Sequence, residues 1–273
     1  GRVAGLRRLA VGMDITASIV SHGHASEVGQ LLSDLAALTE PRPRRVILTL
    51  NLPDAALAAR VRQRAWPFEL QCVDNAQPLG FGANHNRAFE HDRRLGASAL
   101  FAVLNPDLRL HANPFAALAA ALQADARAGA AYPMQRDAAG SVQDHERLVP
   151  TPTRLLARHL LRRKHEVPAG AAPDWVNAAF LLLRREAYAA IEGFDERYHM
   201  YCEDVDLCLR LQLAGWRLAR ADAAVVEHAG QRRSHRQPRH LAWHLRSLWR
   251  LWRSPVWRRY RAGQQGPTKM PPA

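Results

Sequence analysis

The feature that most limits what this chain can fold into is an alternation of short apolar runs with helical patterns. Residues 16–21 (TASIVS) form the first run. Val28, Leu31, Leu32, Leu35 and Leu38 then recur at helical spacing until Pro41 and Pro43 stop them. Residues 46–50 give a second run, 54–64 an alanine-rich helical pattern, 68–73 a third run and 99–104 (ALFAVL) a fourth. A helix is expected over 116–128, ended by Gly129, and further strands over 175–183 and 223–226. Fully apolar strands separated by helices imply a mostly parallel sheet covered on both faces. The fold class is therefore α/β, with ligands expected beyond the carboxyl ends of the strands.

The chain has 273 residues and 48% hydrophobic content, enough to bury one large core, which excludes a disordered protein. Its three cysteines, Cys72, Cys202 and Cys208, form no CxxC pair and sit in no His/Cys cluster of zinc spacing. A reducing, cytoplasmic location is expected. The longest apolar run, residues 115–122, falls far short of the roughly 20 residues that span a bilayer. The N-terminal stretch likewise lacks an apolar run of signal-peptide length.

A net charge of +13 suggests nucleic acid until it is located along the chain. Eleven basic residues follow Glu227 with no acid among them: Arg232, Arg233, Arg236, Arg239, Arg246, Arg250, Arg253, Arg258, Arg259, Arg261 and Lys269. The body before them is nearly neutral, so no nucleic-acid partner is expected, and the charge belongs to a tail over 231–273. Within it Leu241, Leu245, Leu248, Trp249 and Trp252 fall on one side of a helical wheel, opposite Arg239, Arg246, Arg250 and Arg253. Such a helix either lies at an anionic membrane surface, through residues 239–260, or packs its apolar stripe on the body. Residues 150–168 repeat the theme, with Leu155, Leu156, Leu160 and Leu161 against Arg154, Arg158, Arg162, Arg163 and Lys164.

The densest chemistry lies in residues 193–216, GFDERYHMYCEDVDLCLRLQLAGW. Glu203, Asp204 and Asp206 open a helix whose apolar residues Val205, Cys208, Leu209 and Leu211 continue to Gly215. Glu203 and Asp206 share a face, whereas Asp204 points about 100° away, so the acids are free to take different roles. The helix dipole favours ionised acids there, which suits a general base. First-turn decoration is the plainer alternative.

Three further signals accompany the acids. In PLGFGANHNRAF (78–89), Gly80 and Gly82 bracket Phe81, a loop that could present backbone N–H groups to a phosphate or could be an ordinary turn. Asn105-Pro106-Asp107 follows the fourth apolar run, where a divalent metal or an Asx-Pro turn would sit. His228 closes the last strand, 24 residues after Asp204, and could return to the same edge or be a structural histidine.

In this order the segments are specific. The sequence resembles the family 2 glycosyltransferases of the GT-A fold, in the branch containing rhamnosyltransferases that build bacterial surface polysaccharides such as O-antigen. The resemblance covers about residues 14–230, through IVS, LGFGANHNRAF, LNPD, FLLLRREAY, the 193–217 stretch and VVEHAG. It implies an inverting transferase that moves a sugar, L-rhamnose from dTDP-rhamnose, to a hydroxyl of a lipid-linked glycan at the inner membrane face. Asp107 and His228 would hold Mg²⁺ or Mn²⁺, Asp204 would act as base and Glu203 would orient the acceptor. Ser21, Asn51, Phe81, Gly82, Asn86 and Asn105 would line the nucleotide-sugar pocket. Two departures bear on the donor: Leu50 stands where the family carries an acid, and Ser21-His22-Gly23 replaces the usual first-strand loop. Another donor nucleotide, or a non-catalytic membrane- or nucleic-acid-binding protein acting through the tail, are the competing expectations.

Overall fold

The computed structural model describes residues 14–160, 166–168, 170–230 and 238–264. Leu161, Arg162, Arg163, Lys164, Arg232, Arg233, Arg236 and Lys269, noted above, lie outside the described residues.

The strands are β1 (Ile15–Ser21), β2 (Arg45–Leu50), β3 (Glu69–Asp74), β4 (Leu100–Leu104), β5 (Leu108–Arg109), β6 (Ala128–Arg136), β7 (Glu146–Arg147), β8 (Trp175–Val176), β9 (Phe180–Arg184) and β10 (Arg217–His228). Eight of them form one sheet in the order β3-β2-β1-β4-β9-β6-β10-β5, while β7 and β8 pair separately. Within the large sheet, β9 runs antiparallel to β4 and β6, and β5 antiparallel to β10; the remaining pairings are parallel. The GT-A class of α/β fold expected from the sequence is the fold observed.

Strand alternation sorts the core onto two faces. Ile15, Ala17 and Ile19 face the helices α1 (Ala25–Ala37), α2 (Ala55–Gln63) and α4 (Phe115–Ala124). Ile47, Phe101, Val103, Leu181 and Leu183 face α3 (Phe81–Arg94), α6 (Arg185–Ala190) and α7 (Glu203–Leu213). On that second face β1 presents polar residues, each answered from α3. Thr16 Oγ1 donates to Asp92 at 2.6 Å, and Ser18 Oγ lies 2.8 Å from His85 Nδ1, all four residues being fully buried. Arg45 and Arg185 also ion-pair with Asp92, neutralising its charge in the interior.

Two sequence expectations are corrected here. The helix expected over 116–128 ends at Ala124, and Ala128 begins β6. Alanine favours helix, but residues 128–131 lie buried between β9 and β10, and tertiary burial overrides the local preference. Gly129 is no helix stop: a Cβ there would come within 2.8 Å of the Trp216 side chain, so its smallness admits that ring. The strand expected over 175–183 is broken at residues 177–179 into β8 and β9.

The basic segments also take definite places. Helix α5 (Pro152–Leu160) leaves Leu156 and Leu160 exposed at 60% and 70%. Helix α8 (Pro238–Arg253) splits the stripe expected on it. Leu248 and Leu251 join the second core cluster with Trp252 beside them, while Leu241, Leu245 and Trp249 stay 58–62% exposed. A last helix, α9 (Pro255–Gln264), packs on α7, where Tyr260 donates to Asp174 at 2.9 Å.

Candidate active site

Two groups of side chains meet near the carboxyl ends of the central strands. The first begins where β4 ends and Asn105-Pro106-Asp107 turns into β5. Because β5 pairs with β10 in the register His228↔Leu108, Asp107 falls beside His228. His228 Nε2 lies 3.4 Å from an Asp107 carboxylate oxygen. Gln143 fixes the imidazole: its Nε2 donates to the His228 carbonyl at 2.6 Å, which turns its Oε1 to face His228 Nδ1 at 3.0 Å. An amide oxygen only accepts, so Nδ1 carries the proton. In the neutral ring the Nε2 lone pair then faces the carboxylate.

Two acceptors aimed at one point fit a cation. Among the described residues no third His, Cys, Asp or Glu joins them, so a cation held by these two would have its other positions open to water and phosphate oxygens. That is the usual manner of holding Mg²⁺ or Mn²⁺ beside a diphosphate.

The second group stands at the start of α7. Tyr201 and Cys202 both have left-handed backbone conformations, φ +70° and +64°, immediately before Glu203. Two such residues in succession are costly for side chains with a Cβ, and they set the direction in which the acids leave the loop. The turn is held from outside by α8, where Ser247 donates to the Met200 carbonyl at 2.8 Å and Tyr201 OH lies 2.9 Å from His240 Nδ1.

The three acids have separate surroundings. Asp206 ion-pairs with Arg210 at 2.6 Å and is structural. Asp204 accepts from the Val205 N–H at 2.8 Å and from the N–H of Ala178. Burial raises its pKa above the usual aspartate value, with backbone hydrogen bonds and the nearby Arg147 charge opposing the rise. Burial, reinforced by the Asp204 charge, raises Glu203 further, and its Oε2 is buried with no hydrogen-bond partner. With Glu203 raised further than Asp204, the pair releases its first proton from Asp204, the arrangement by which paired carboxylates divide acid and base roles.

The break between β8 and β9 joins the two groups. Ala178 meets Asp204, and the Ala179 carbonyl accepts the Asn105 N–H at 2.8 Å. One dipeptide thus ties Asp204 to the turn that carries Asp107.

This fold agrees with known proteins. A family profile described as "Glycosyltransferase like family 2" matches residues 13–250. The chain is a family 2 glycosyltransferase. The transferase is 28% identical over 243 residues to rhamnosyltransferase WbbL of Escherichia coli, covering 85% of this chain and 90% of the relative. It is 30% identical over 271 residues to the N-acetylglucosaminyl-diphospho-decaprenol L-rhamnosyltransferase of Mycobacterium tuberculosis, covering 87% and 86%. It is thus rhamnosyltransferase-like within the family. Among solved structures it superposes on S. aureus TarS with a TM-score of 0.57 at 14% identity, over 79% of this chain and 60% of that one. The Pyrobaculum calidifontis mannosyltransferase PcManGT, solved with GDP-Man and Mn²⁺, gives 0.56 at 17%, over 94% and 65%. The chain spans less than two thirds of both solved chains, and these likenesses describe the fold.

The residues expected to line the transferase's nucleotide pocket have diverse positions. Asn51 is buried, and its amide contacts His22, Asn75, the Leu79 N–H and the Leu79 carbonyl. Asn86 accepts from Tyr188 and the Phe194 N–H and donates to the Phe194 carbonyl and Glu196. Both amides have their hydrogen-bonding capacity filled within the protein. Gly82 lies so close to Phe194 that an added Cβ would stand 2.5 Å from the Phe194 Cβ, and the Phe81 N–H donates to the His199 carbonyl at 3.1 Å. The LGFGAN segment therefore docks the 194–199 loop that leads to the acids. Its helix starts at Phe81. Ser21 is buried at the end of β1, its Oγ accepting from the His24 N–H at 3.4 Å.

Gln143, Asp144 and Arg147, from the polar stretch 143–147, are not among the residues that the sequence singled out. Arg147 stacks over Trp175 with 5.2 Å from guanidinium carbon to ring centroid, and Asp144 bridges it to Arg158 of α5. The pairing of β7 with β8 brings this cation toward Asp204. No local pattern marks Gln143 and Arg147 for the site, because the partners that place them there, Trp175, Asp204 and His228, lie 28 or more residues away.

Proposed function

We propose that this transferase moves L-rhamnose from dTDP-rhamnose to a hydroxyl of a lipid-linked glycan, with inversion at the anomeric carbon and with a divalent cation, Mg²⁺ or Mn²⁺. The observation that carries the reading is the union of Asp107 and His228 with Asp204 through the Ala178-Ala179 dipeptide. The acceptor O–H attacks the anomeric carbon and its proton passes to the Asp204 carboxylate. The bond from that carbon to the phosphate oxygen breaks, and its electron pair leaves with the nucleoside diphosphate. A single in-line displacement inverts the centre. A cation at Asp107 and His228 would neutralise charge on the diphosphate. Glu203, protonated at neutral pH, donates a hydrogen bond that orients the acceptor.

Support for a rhamnosyl donor comes from the names of both relatives, and for a lipid-diphosphate acceptor from that of the mycobacterial one. Support for a membrane-facing enzyme comes from the exposed Leu241, Leu245 and Trp249 on α8, where Arg253 lies 4.5 Å over the Trp249 ring. Among the described residues no helix is long and apolar enough to cross a membrane.

The test is calorimetric titration of the protein with dTDP, UDP and GDP, each with and without Mn²⁺, followed by NMR assignment of the product's anomeric configuration. Metal-dependent binding of dTDP, lost in Asp107→Ala, and an inverted rhamnoside are expected. Binding of another nucleotide overturns the donor; a retained configuration overturns the mechanism.

A further inference from the structure

Where α9 lies against the start of α5 there is an open groove of about 580 Å³, lined by Thr151, Thr153, Arg154, Trp257, Arg258 and Arg261. None of these residues belongs to the Asp107, His228 and Asp204 cluster, and no carboxylate lines the groove. Arg258 and Arg261 are three apart on α9 and share a face. Neither forms an ion pair with any described residue; Arg261 packs over Trp257, 5.7 Å from guanidinium carbon to ring centroid. Arg154 enters from α5, its Nη1 anchored on the Val149 carbonyl at 3.0 Å. Five arginines elsewhere, Arg45, Arg158, Arg185, Arg210 and Arg220, each have a carboxylate partner. Three guanidinium groups brought together without a counter-charge repel one another unless an anion joins them, and the planar guanidinium favours phosphate.

The neighbourhood narrows the kind of anion. Leu156 and Leu160 stand exposed on α5 in the two turns after Arg154, and α9 continues from α8 with its exposed Leu241, Leu245 and Trp249. Apolar side chains next to arginines that reach a phosphate level are the pattern of a protein seated in a bilayer interface. We propose that this groove binds the phosphate of an anionic phospholipid headgroup and seats the α5/α9 corner on the membrane. The proposal rests on the membrane-facing reading of α8 for its setting, but the binding itself is measurable without a membrane.

The full chain is titrated with short-chain phosphatidylglycerol below its micelle concentration, with the matching phosphatidylcholine, and with inorganic phosphate. The same titrations are run on the Arg258→Gln/Arg261→Gln double variant, whose melting temperature and Mn²⁺-dependent dTDP binding should match the parent. Phosphatidylglycerol binding that exceeds phosphatidylcholine binding and weakens about tenfold or more in the variant is expected, since charged hydrogen bonds are lost. No lipid binding, equal binding by the variant, or binding of inorganic phosphate alone overturns the proposal. Sedimentation with phosphatidylglycerol vesicles separates the two readings: vesicle binding that survives serine at Leu241, Leu245 and Trp249 but falls in the arginine variant sinks the α8 reading and leaves the groove, whereas a parent that ignores vesicles overturns the seating.

Discussion

Gln143 grips His228 twice, through its backbone carbonyl at 2.6 Å and its Nδ1 at 3.0 Å, and so leaves the His228 Nε2 turned toward Asp107. The glutamine lies 85 residues from the histidine and would touch no metal itself. Groups that orient a ligating histidine in this way commonly change metal affinity by roughly 10- to 100-fold. Gln143→Leu should therefore weaken Mn²⁺-dependent nucleotide binding by about that factor while leaving the melting temperature nearly unchanged. Titration calorimetry at several Mn²⁺ concentrations reads the effect, and an unaltered Mn²⁺ dependence would sink this role for Gln143.

This relationship marks the boundary of what could be read in the chain. Asp107, Glu203, Asp204 and His228 stand at the ends of apolar strands or at the start of a helix, and those local patterns show where the elements stop. Gln143, Arg147 and the Ala178-Ala179 break have no local signature. Their places follow from strand pairings such as Arg147↔Trp175, which hydrophobic period does not encode. Alanine-rich β6 was read as the end of a helix because burial between two strands, rather than propensity, decides its conformation. The resemblance put Asn51 and Asn86 in the nucleotide pocket, and in the fold their amides tie down the chain at Leu79 and at Phe194, long-range contacts that no local pattern shows.

Arg147 should set the acid limb of the rate profile. Asp204 must be ionised to accept a proton, and burial has pushed its pKa up to about 6 against the opposing influence of Arg147. Removing the cation leaves burial less opposed, so in Arg147→Met the limb moves to higher pH, and in Arg147→Lys it moves less. The pH dependence of kcat checks this. Coincident limbs in all three proteins would show that Arg147 does not act through Asp204. Asp204→Asn itself should bind nucleotide normally and turn over about 10²-fold slower or worse.

Glu203 should make the protein less stable as pH rises. Its carboxyl ionises near 4.5 when solvated and is pushed up to about 8 in the fold, chiefly by burial. Between those values the folded state keeps a proton that the unfolded state has released, so the stabilising contribution is complete at low pH and is lost as pH climbs through the folded value. Urea unfolding at intervals from pH 6 to 8 should show a declining free energy in the parent and a flatter line in Glu203→Gln. Parallel lines would mean that the burial of Glu203 is relieved in solution.

The exposed stripe of α8 should govern attachment without governing fold. Leu248 and Leu251 point into the core and Ser247 holds the Met200 carbonyl, so the helix stays docked when its outer side chains change. Leu241, Leu245 and Trp249 recur every four residues on the flank next to them, and each is more than half exposed. Replacing all three with serine removes apolar area from solvent, so stability should hold or rise slightly, while each lost side chain would take away roughly 1.5–3 kcal/mol if it were fully buried in lipid. Sedimentation with anionic vesicles should then fall by at least tenfold, with transfer to a water-soluble acceptor unchanged. If vesicle binding survives the triple change, the stripe covers something other than lipid; if transfer to the soluble acceptor collapses as well, α8 acts on the strained Tyr201-Cys202 turn through its outer face and not only through the Ser247 contact.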